Sequence, residues 1–443
     1  MFKYIKSTKI VLAAVGLLVF QSCTKSEPIA ITSDQFYSTV DKVTEIMIHD
    51  IFSPPVASRI YVYPNIAAYE IIAQNSDYKS LAKQIKSLPE IPKAPEKTTN
   101  LSVAALVAHI ELSKQLIFTE EKMTTYRDSL YNIWKSQNST EFETSKAYGL
   151  QVAAALKPWI DADNYAQTRT MPKYTIDTDD PSRWQPTPPA YMDGIEPHWN
   201  KIRTMVLDSA AQFKPAKHPE FSLEEGTDFH KELKEVYEVS VSITEKGDDS
   251  EEIQIAQFWD CNPYVSVTRG HLMFATKKIT PGAHWIGITK IACKNSNYNF
   301  NDAVYAFTKT SIGIFEGFIS CWDEKYRSNL IRPETLINQH MDEDWKPILQ
   351  TPPFPEYTSG HSVVSGSAST VLTAIFGDNF QFDDDTEVPY GLPIRSFESF
   401  NKAADEAAVS RLYGGIHYRA AIDLGLIQGR NVGNHVLQSL KMK

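Results

Sequence analysis

Between Trp322 and His417 the chain carries three short blocks whose residue types could hold and act on an oxyanion. They are Lys325 with six residues before Arg332-Pro333, then Tyr357-Thr358-Ser359-Gly360-His361-Ser362, then Ser410-Arg411 with five residues before His417. Lys325 supplies an ammonium, and Arg332 and Arg411 supply guanidinium forks whose planar donors match the oxygens of a tetrahedral anion. Ser359 adds a hydroxyl. Gly360 lets an anion approach backbone N–H groups, and its place at the start of an expected helix puts them where the dipole favours negative charge. His361 and His417 suit a division of labour, one as ligand or nucleophile and one as proton donor and acceptor. Three cations about 6 Å apart repel by roughly 3 kcal/mol per pair at an effective dielectric of about 20. The grouping therefore predicts a tightly held multivalent anion.

Holding such a cluster is a task for helix ends. Lys325 and Arg332 are seven residues apart, about two helical turns, so a helix through both would send the two side chains from one face. Ser362 to Phe376 predicts a helix behind Gly360. Asn401 to Leu412 is alanine-rich with a helical pattern that Gly414-Gly415 can end just before His417, and a further helix is expected from Tyr418 towards Leu440. Upstream, Val103, Leu106, Val107 and Ile110 repeat at helical spacing behind Ser102 as an N-cap, and Met123, Tyr126, Leu130, Ile133 and Trp134 do the same. Pro89, Pro92 and Pro95 mark a connector. Asp161 to Pro197 carries Pro172, Pro181, Pro186, Pro188 and Pro189 without helical periodicity, which marks it as the expected boundary and as a segment long enough to cover a site mouth. The acidic patch Asp378 to Glu387 lacks the glycine and terminal glutamate of a calcium loop and reads as a solvated loop.

The three blocks, in this order and with these spacings, resemble the vanadium-dependent haloperoxidases and the acid phosphatases that share their fold. Segments beginning Trp184-Gln185-Pro186, Glu196-Pro197-His198-Trp199, Phe258-Trp259-Asp260-Cys261 and Phe315-Glu316-Gly317-Phe318 extend the resemblance to the bacterial branch, its iodoperoxidases in particular. The resemblance implies an all-α fold of two helical bundles with the anion site at the end of the C-terminal one, divided as 24–198 and 199–443. It implies vanadate as cofactor, with His417 as the vanadium ligand, Lys325, Arg332, Ser359, Gly360 and Arg411 on its oxygens, and His361 handling protons. Trp322, Phe354 and Tyr264 would line the halide or peroxide pocket. The implied reaction turns hydrogen peroxide and halide, iodide above all, into hypohalous acid. As an acid phosphatase the same chain would use His417 as nucleophile and His361 as proton donor. Two positions depart from the pattern: Thr358 stands where proline is usual, and Ala421 stands where many members carry an acid four residues after the histidine. The next acid is Asp423, and the partner that orients His417 is left open.

Other chemistries find less support. There is no His-Glu-x-x-His or paired-cysteine spacing for zinc, and no Gly-x-Ser-x-Gly elbow around Ser359 or Ser365 for a serine hydrolase. His49, His109, His218, His230 and His435 read as surface or core residues, and His271, His284 and His340 as mainly structural. A net charge of −10 argues against nucleic acid as a partner, because a basic stripe is the expected footprint. A glycan-binding surface lipoprotein would suit the 11% aromatic content but leaves the cations and histidines unexplained.

Residues 1–23 read as an export signal: Lys3, Lys6 and Lys9, the apolar run Ile10 to Phe20, then Gln21-Ser22-Cys23. The run is short for a membrane span, and Cys23 is the expected lipidation site of a periplasmic or cell-surface lipoprotein in a Gram-negative bacterium, so contact with membrane is expected through the lipid alone. Cys261, Cys293 and Cys321 permit one disulfide at most. In a Gram-negative host, Cys23→Ser is expected to shift the protein from the membrane fraction to the soluble one. A wild-type protein that carries no lipid by intact mass overturns this assignment.

Overall fold

The computed structural model describes residues 27–95, 99–269, 272–275 and 278–443; the expected leader with Cys23, and also His271, lie outside the described residues. Fourteen α-helices are present among them. The first seven are α1 (Ser33–Asp50), α2 (Pro54–Ile72), α3 (Leu101–Leu116), α4 (Glu120–Gln137), α5 (Ser139–Asp161), α6 (Tyr165–Thr168) and α7 (Asp228–Lys246). The rest are α8 (Glu251–Phe258), α9 (Pro281–Asn295), α10 (Phe300–Ser328), α11 (Pro333–His340), α12 (Gly360–Phe376), α13 (Phe400–Tyr413) and α14 (Arg419–Ser439). Two short antiparallel hairpins accompany them, β1 (Ser266–Arg269) with β2 (Leu272–Ala275) and β3 (Phe382–Asp384) with β4 (Arg395–Phe397). The protein is all-α in class.

Local chemistry sets where the helices begin. Ser53, Asn100, Thr280, Asn299, Ser359 and Ser399 each accept a backbone N–H at a helix start, and proline follows Ser53 and Thr280 directly, where its missing N–H costs nothing. The cap of α3 is Asn100 and not the expected Ser102: its side-chain oxygen takes the N–H groups of Ser102 and Val103, and a hydroxyl at 102 would already lie inside the turn.

Helix α10 is the spine. At 29 residues it runs roughly 43 Å, packs on α2 and α9 on one side and on α12 and α14 on the other, and is buried over most of its length. The first bundle gathers α2, α3 and α5, and the second gathers α10, α12, α13 and α14. One apolar cluster runs from Ile29 to Met442 through both. Helices α12 and α14 approach closely because glycine lines their contact. A Cβ added at Gly429 would lie 2.0 Å from the Val363 carbonyl oxygen, and one at Gly433 would lie 2.8 Å from that of Ser367.

Between α6 and α7 the chain is irregular, as the proline content predicts. It crosses the C-terminal end of α10: the Ile195 carbonyl accepts from Trp322 Nε1 at 3.1 Å and from the Tyr326 hydroxyl at 2.6 Å, and Trp184 N–H donates to Asn329. The acidic patch differs from expectation. Part of it forms β3, and Asp384 and Glu387 are buried, because His284 gives Asp384 a partner that repays its desolvation. Cys261, Cys293 and Cys321 are buried and form no disulfide. No helix among the described residues is long and apolar enough to cross a membrane.

Gly429→Ala is expected to destabilise the protein by about 1–3 kcal/mol, since the new methyl group meets backbone that cannot rotate away. Urea unfolding measures it, and an unchanged midpoint would show that α12 and α14 do not pack this closely.

Candidate active site

Four helix ends converge at one end of the second bundle. Lys325 lies in the last turn of α10 and Arg411 in the last turn of α13, where the helix dipole favours cations, while Gly360 opens α12 and His417 precedes α14. Lys325 and Arg332 do not share a helix face. Asn329 ends α10 in the left-handed region (φ 56°), and Arg332 is the residue that precedes Pro333 at the start of α11. The turn brings both cations to one place from two directions. Gly415, with φ +75°, makes the corresponding turn after α13, a conformation that suits glycine.

The cations are held by backbone carbonyls. Lys325 Nζ donates to Pro355 at 2.9 Å and Glu356 at 3.0 Å; Arg332 donates through Nε to Phe354 at 3.0 Å and through NH1 to Ile416 at 2.8 Å. Arg411 NH1 donates to the Trp259 carbonyl at 2.6 Å, and its NH2 lies 3.9 Å from Asp260. The Phe354 ring lies against Lys325 Nζ (4.9 Å) and the Arg332 guanidinium (5.2 Å). Ser359 caps α12, and its N–H donates to the Ala421 carbonyl at 3.0 Å. Thr358 places a hydroxyl on Gln428 at 2.7 Å, so a side-chain bond to α14 fixes the backbone here.

The acid that serves His417 is Glu356, on the opposite side in sequence from Asp423. Its Oε1 lies 2.7 Å from His417 Nδ1 and accepts the Tyr418 N–H at 3.0 Å, while His417 Nε2 lies 3.1 Å from Arg332 NH1. Asp423 instead neighbours Arg419 and Glu235. A lone acid five residues before His361, in a stretch flanked by apolar and small residues, is the signal the sequence offers for Glu356.

Burial dominates the electrostatics. It pushes Lys325 down to about 7 and Arg332 down to about 10, and pushes Glu356 up to about 8. His417 is held well below the usual histidine range by burial and then by Arg332, Lys325 and Arg411; His361 is held low by burial and then by Arg411. Each shift disfavours the charged form of its group. Arg411 Nε, His361 Nε2 and Glu356 Oε2 are buried polar atoms without a hydrogen-bond partner in the protein. Three buried cations faced by Glu356 and Asp260, with unsatisfied donors among them, fit an oxyanion rather than a metal cation.

Gly360, His361, Arg411 and His417 line one cavity with Trp322 and Phe354; Lys325 and Arg332 are buried against the Phe354 ring, and Ser359 is buried next to Gly360. Tyr264 is not among the lining residues. The turn at 261–264 presents Cys261, Asn262 and Pro263 to the cavity and leaves the Tyr264 phenol near Ser53 and Glu196. A wider surface cleft between α1 and α9 contains none of these residues.

Residues 305–443 match the family model of the VCPO second helical-bundle domain. Over 98 residues, 20% of this chain, the sequence is 35% identical to the vanadium-dependent bromoperoxidase of Corallina officinalis and 33% identical to that of Corallina pilulifera. The match spans only 16% of the length of either relative. A crystal structure described as the first bacterial vanadium-dependent iodoperoxidase is 66% identical, with a TM-score of 0.91 over 94% of this chain and 99% of that one. This chain belongs to the bacterial vanadium-dependent haloperoxidases. An apo bacterial vanadium-dependent chloroperoxidase, 16% identical with a TM-score of 0.62 over 90% of this chain and 97% of that one, shares the fold.

For this haloperoxidase, Glu356→Gln is expected to lower orthovanadate affinity about 10–100-fold by loosening His417. His417→Ala should lower it further, whereas His361→Ala should reduce turnover and leave the anion bound. Equal affinity losses for the two histidine variants would show the roles to be wrong.

Proposed function

We propose that this enzyme binds vanadate in the cavity between α10, α12, α13 and α14 and uses hydrogen peroxide to oxidise halide, iodide foremost, to hypohalous acid. The observation that carries the reading is the buried set of Lys325, Arg332 and Arg411 around His361 and His417, in a chain 66% identical to a vanadium iodoperoxidase over 94% of its length. Bound vanadate supplies the Lewis-acid centre at which peroxide becomes an electrophile toward halide. The chain supplies the rest. Lys325, Arg332, Arg411, the Ser359 hydroxyl and the Gly360 N–H are the donors for the anion's oxygens. His417 offers Nε2 as the ligand atom, because Nδ1 is engaged by Glu356. An anion beside Lys325 favours its charged form and opposes the downward push of burial. His361, kept neutral by burial and with Nε2 unpartnered, is placed to accept a proton from incoming peroxide and return it to the leaving oxygen. Trp322 and Phe354 keep the cavity wall apolar, which strengthens every charge interaction inside.

Iodide is the most easily oxidised of the usual halides and needs the least activation of peroxide. Phe354 occupies a position that chloride oxidisers also fill with phenylalanine, so the pocket residues do not by themselves set selectivity. The 66% identity to a vanadium iodoperoxidase over 94% of the chain supports iodide as the halide turned over most readily. We also infer export and a lipid anchor at Cys23 from the leader's pattern of basic residues, apolar run and cysteine.

At saturating vanadate, with peroxide matched across pH, iodide should be turned over, bromide little and chloride not at all. Efficient bromination of a phenol acceptor would overturn the iodide assignment and leave the vanadate site standing. Absence of any halide oxidation on adding orthovanadate, together with phosphate-ester hydrolysis that vanadate inhibits, would establish the phosphatase reading instead.

A further inference from the structure

Behind the wall that carries Arg411, three side chains remote in sequence meet in the interior. Cys261 follows α8, His284 lies in the first turn of α9, and Glu387 follows β3; all three are buried. Cys261 Sγ lies 3.4 Å from His284 Nδ1 and 3.8 Å from Glu387 Oε1, and His284 Nδ1 lies 3.4 Å from that same oxygen.

The two nitrogens of His284 have different surroundings. Nε2 is 2.9 Å from Asp384 Oδ2 and 2.7 Å from the Thr386 hydroxyl, ordinary hydrogen-bond lengths, and Asp384 is itself fixed by the Thr386 N–H and hydroxyl at 3.0 and 2.7 Å. An Nε2–H directed at Asp384 leaves Nδ1 with a lone pair aimed between a sulfur and a carboxylate oxygen. The Nδ1 to Oε1 separation of 3.4 Å is long for a charge-assisted hydrogen bond. Tetrahedral coordination at about 2.0–2.1 Å for nitrogen, 2.3 Å for sulfur and 2.0–2.2 Å for oxygen gives ligand separations of about 3.4 Å for N to O and about 3.6 Å for S to N and S to O. The three observed separations match these within about 0.2 Å.

We propose that Cys261 Sγ, His284 Nδ1 and Glu387 Oε1 form a binding site for a borderline-soft divalent cation, zinc foremost, with Asp384 as the positioning residue on His284 Nε2. Thiolate with imidazole selects zinc over magnesium or calcium, and a carboxylate on the far ring nitrogen is the arrangement that fixes the tautomer of a ligating histidine. Three protein ligands leave a position for water. Charge is consistent: a thiolate, Glu387, Asp384 and Asp260 are offset by a divalent ion, by Lys278, which pairs with Asp260 and faces Glu387, and by Arg411, which lies 3.9 Å from Asp260. The site braces the anion cavity. Trp259 stacks on His284 at 4.4 Å, its carbonyl takes Arg411 NH1, and Cys261 itself lines that cavity. Motif spacing could not reveal the ligands, which come from three elements across more than a hundred residues.

The inference does not depend on the halide reaction. Full-length protein expressed in zinc-supplemented medium and passed through gel filtration without chelator should carry about one zinc per chain, as a site of three or more ligands retains it. Glu387→Gln and Cys261→Ser should lower that content at least several-fold. Cobalt(II) added to chelator-stripped protein should give a thiolate-to-cobalt charge-transfer absorption that Cys261→Ser abolishes and Cys293→Ser, a buried control, retains. Cys261 is buried, so its substitution also perturbs packing, and the wild-type protein alone decides against the proposal. A folded, peroxide-competent wild type with less than about one-tenth of an equivalent of zinc, and no such band with cobalt, means that the cluster is a hydrogen-bonded one and overturns the site.

Discussion

Lys325, Arg332 and Arg411 are all removed from water, and their burial together with their mutual repulsion is the constraint to which the surrounding structure answers. Two of them sit in the last turns of α10 and α13, where the dipoles oppose part of that repulsion. Carbonyls of residues 354–356, Ile416 and Trp259 take their N–H groups. None of this neutralises a net positive cavity. Burial still presses Lys325 and Arg332 toward neutrality, so an anion that enters strengthens the site's own structure as well as being held by it.

The stretch from Phe354 to His361 meets that constraint in consecutive residues. Phe354 lies against two of the cations, Pro355 and Glu356 give carbonyls to Lys325, and the Glu356 carboxylate orients His417. Thr358 ties the segment to α14, and Ser359, Gly360 and His361 turn it into α12. The same Glu356 oxygen accepts the Tyr418 N–H, so one side chain fixes both His417 and the start of α14.

Sequence and structure agree best where chemistry and local geometry coincide in the chain. The helix expected from Ser362 begins two residues earlier, at Gly360 with Ser359 as its cap, because the Ser359 side chain takes the Ser362 N–H. Lys325 and Arg332 were recognisable as a pair, but the helical face assigned to them was wrong, because Asn329 in the left-handed region ends α10 between them. Glu356 escaped notice because its role is defined by a contact across 61 residues, and nothing in local spacing records such a contact. Tyr264 was placed in the pocket although the turn at 261–264 directs it elsewhere. The acidic run near Asp384 looked solvated because a carboxylate's partner, here His284 at a separation of 100 residues, is invisible to composition.

The packing of α12 on α14 is the remaining link between scaffold and chemistry. A Cβ added at Gly425 would lie 2.9 Å from Ser362 Cβ and 3.3 Å from the Ser359 carbonyl oxygen, so glycine at that position lets the start of α12 rest directly on α14. That contact allows Ser359 N–H to reach the Ala421 carbonyl and Thr358 to reach Gln428, which in turn donates to Ser320 on α10. Three helices are thereby tied through one turn of backbone, and the Gly360 N–H is aimed by that tie. Ala421, fully buried, serves here through its carbonyl, and the carboxylate on His417 is that of Glu356. A hydrogen bond to His417 Nδ1 constrains where an oxygen sits and not which segment delivers it, so an acid 61 residues upstream meets the task in full.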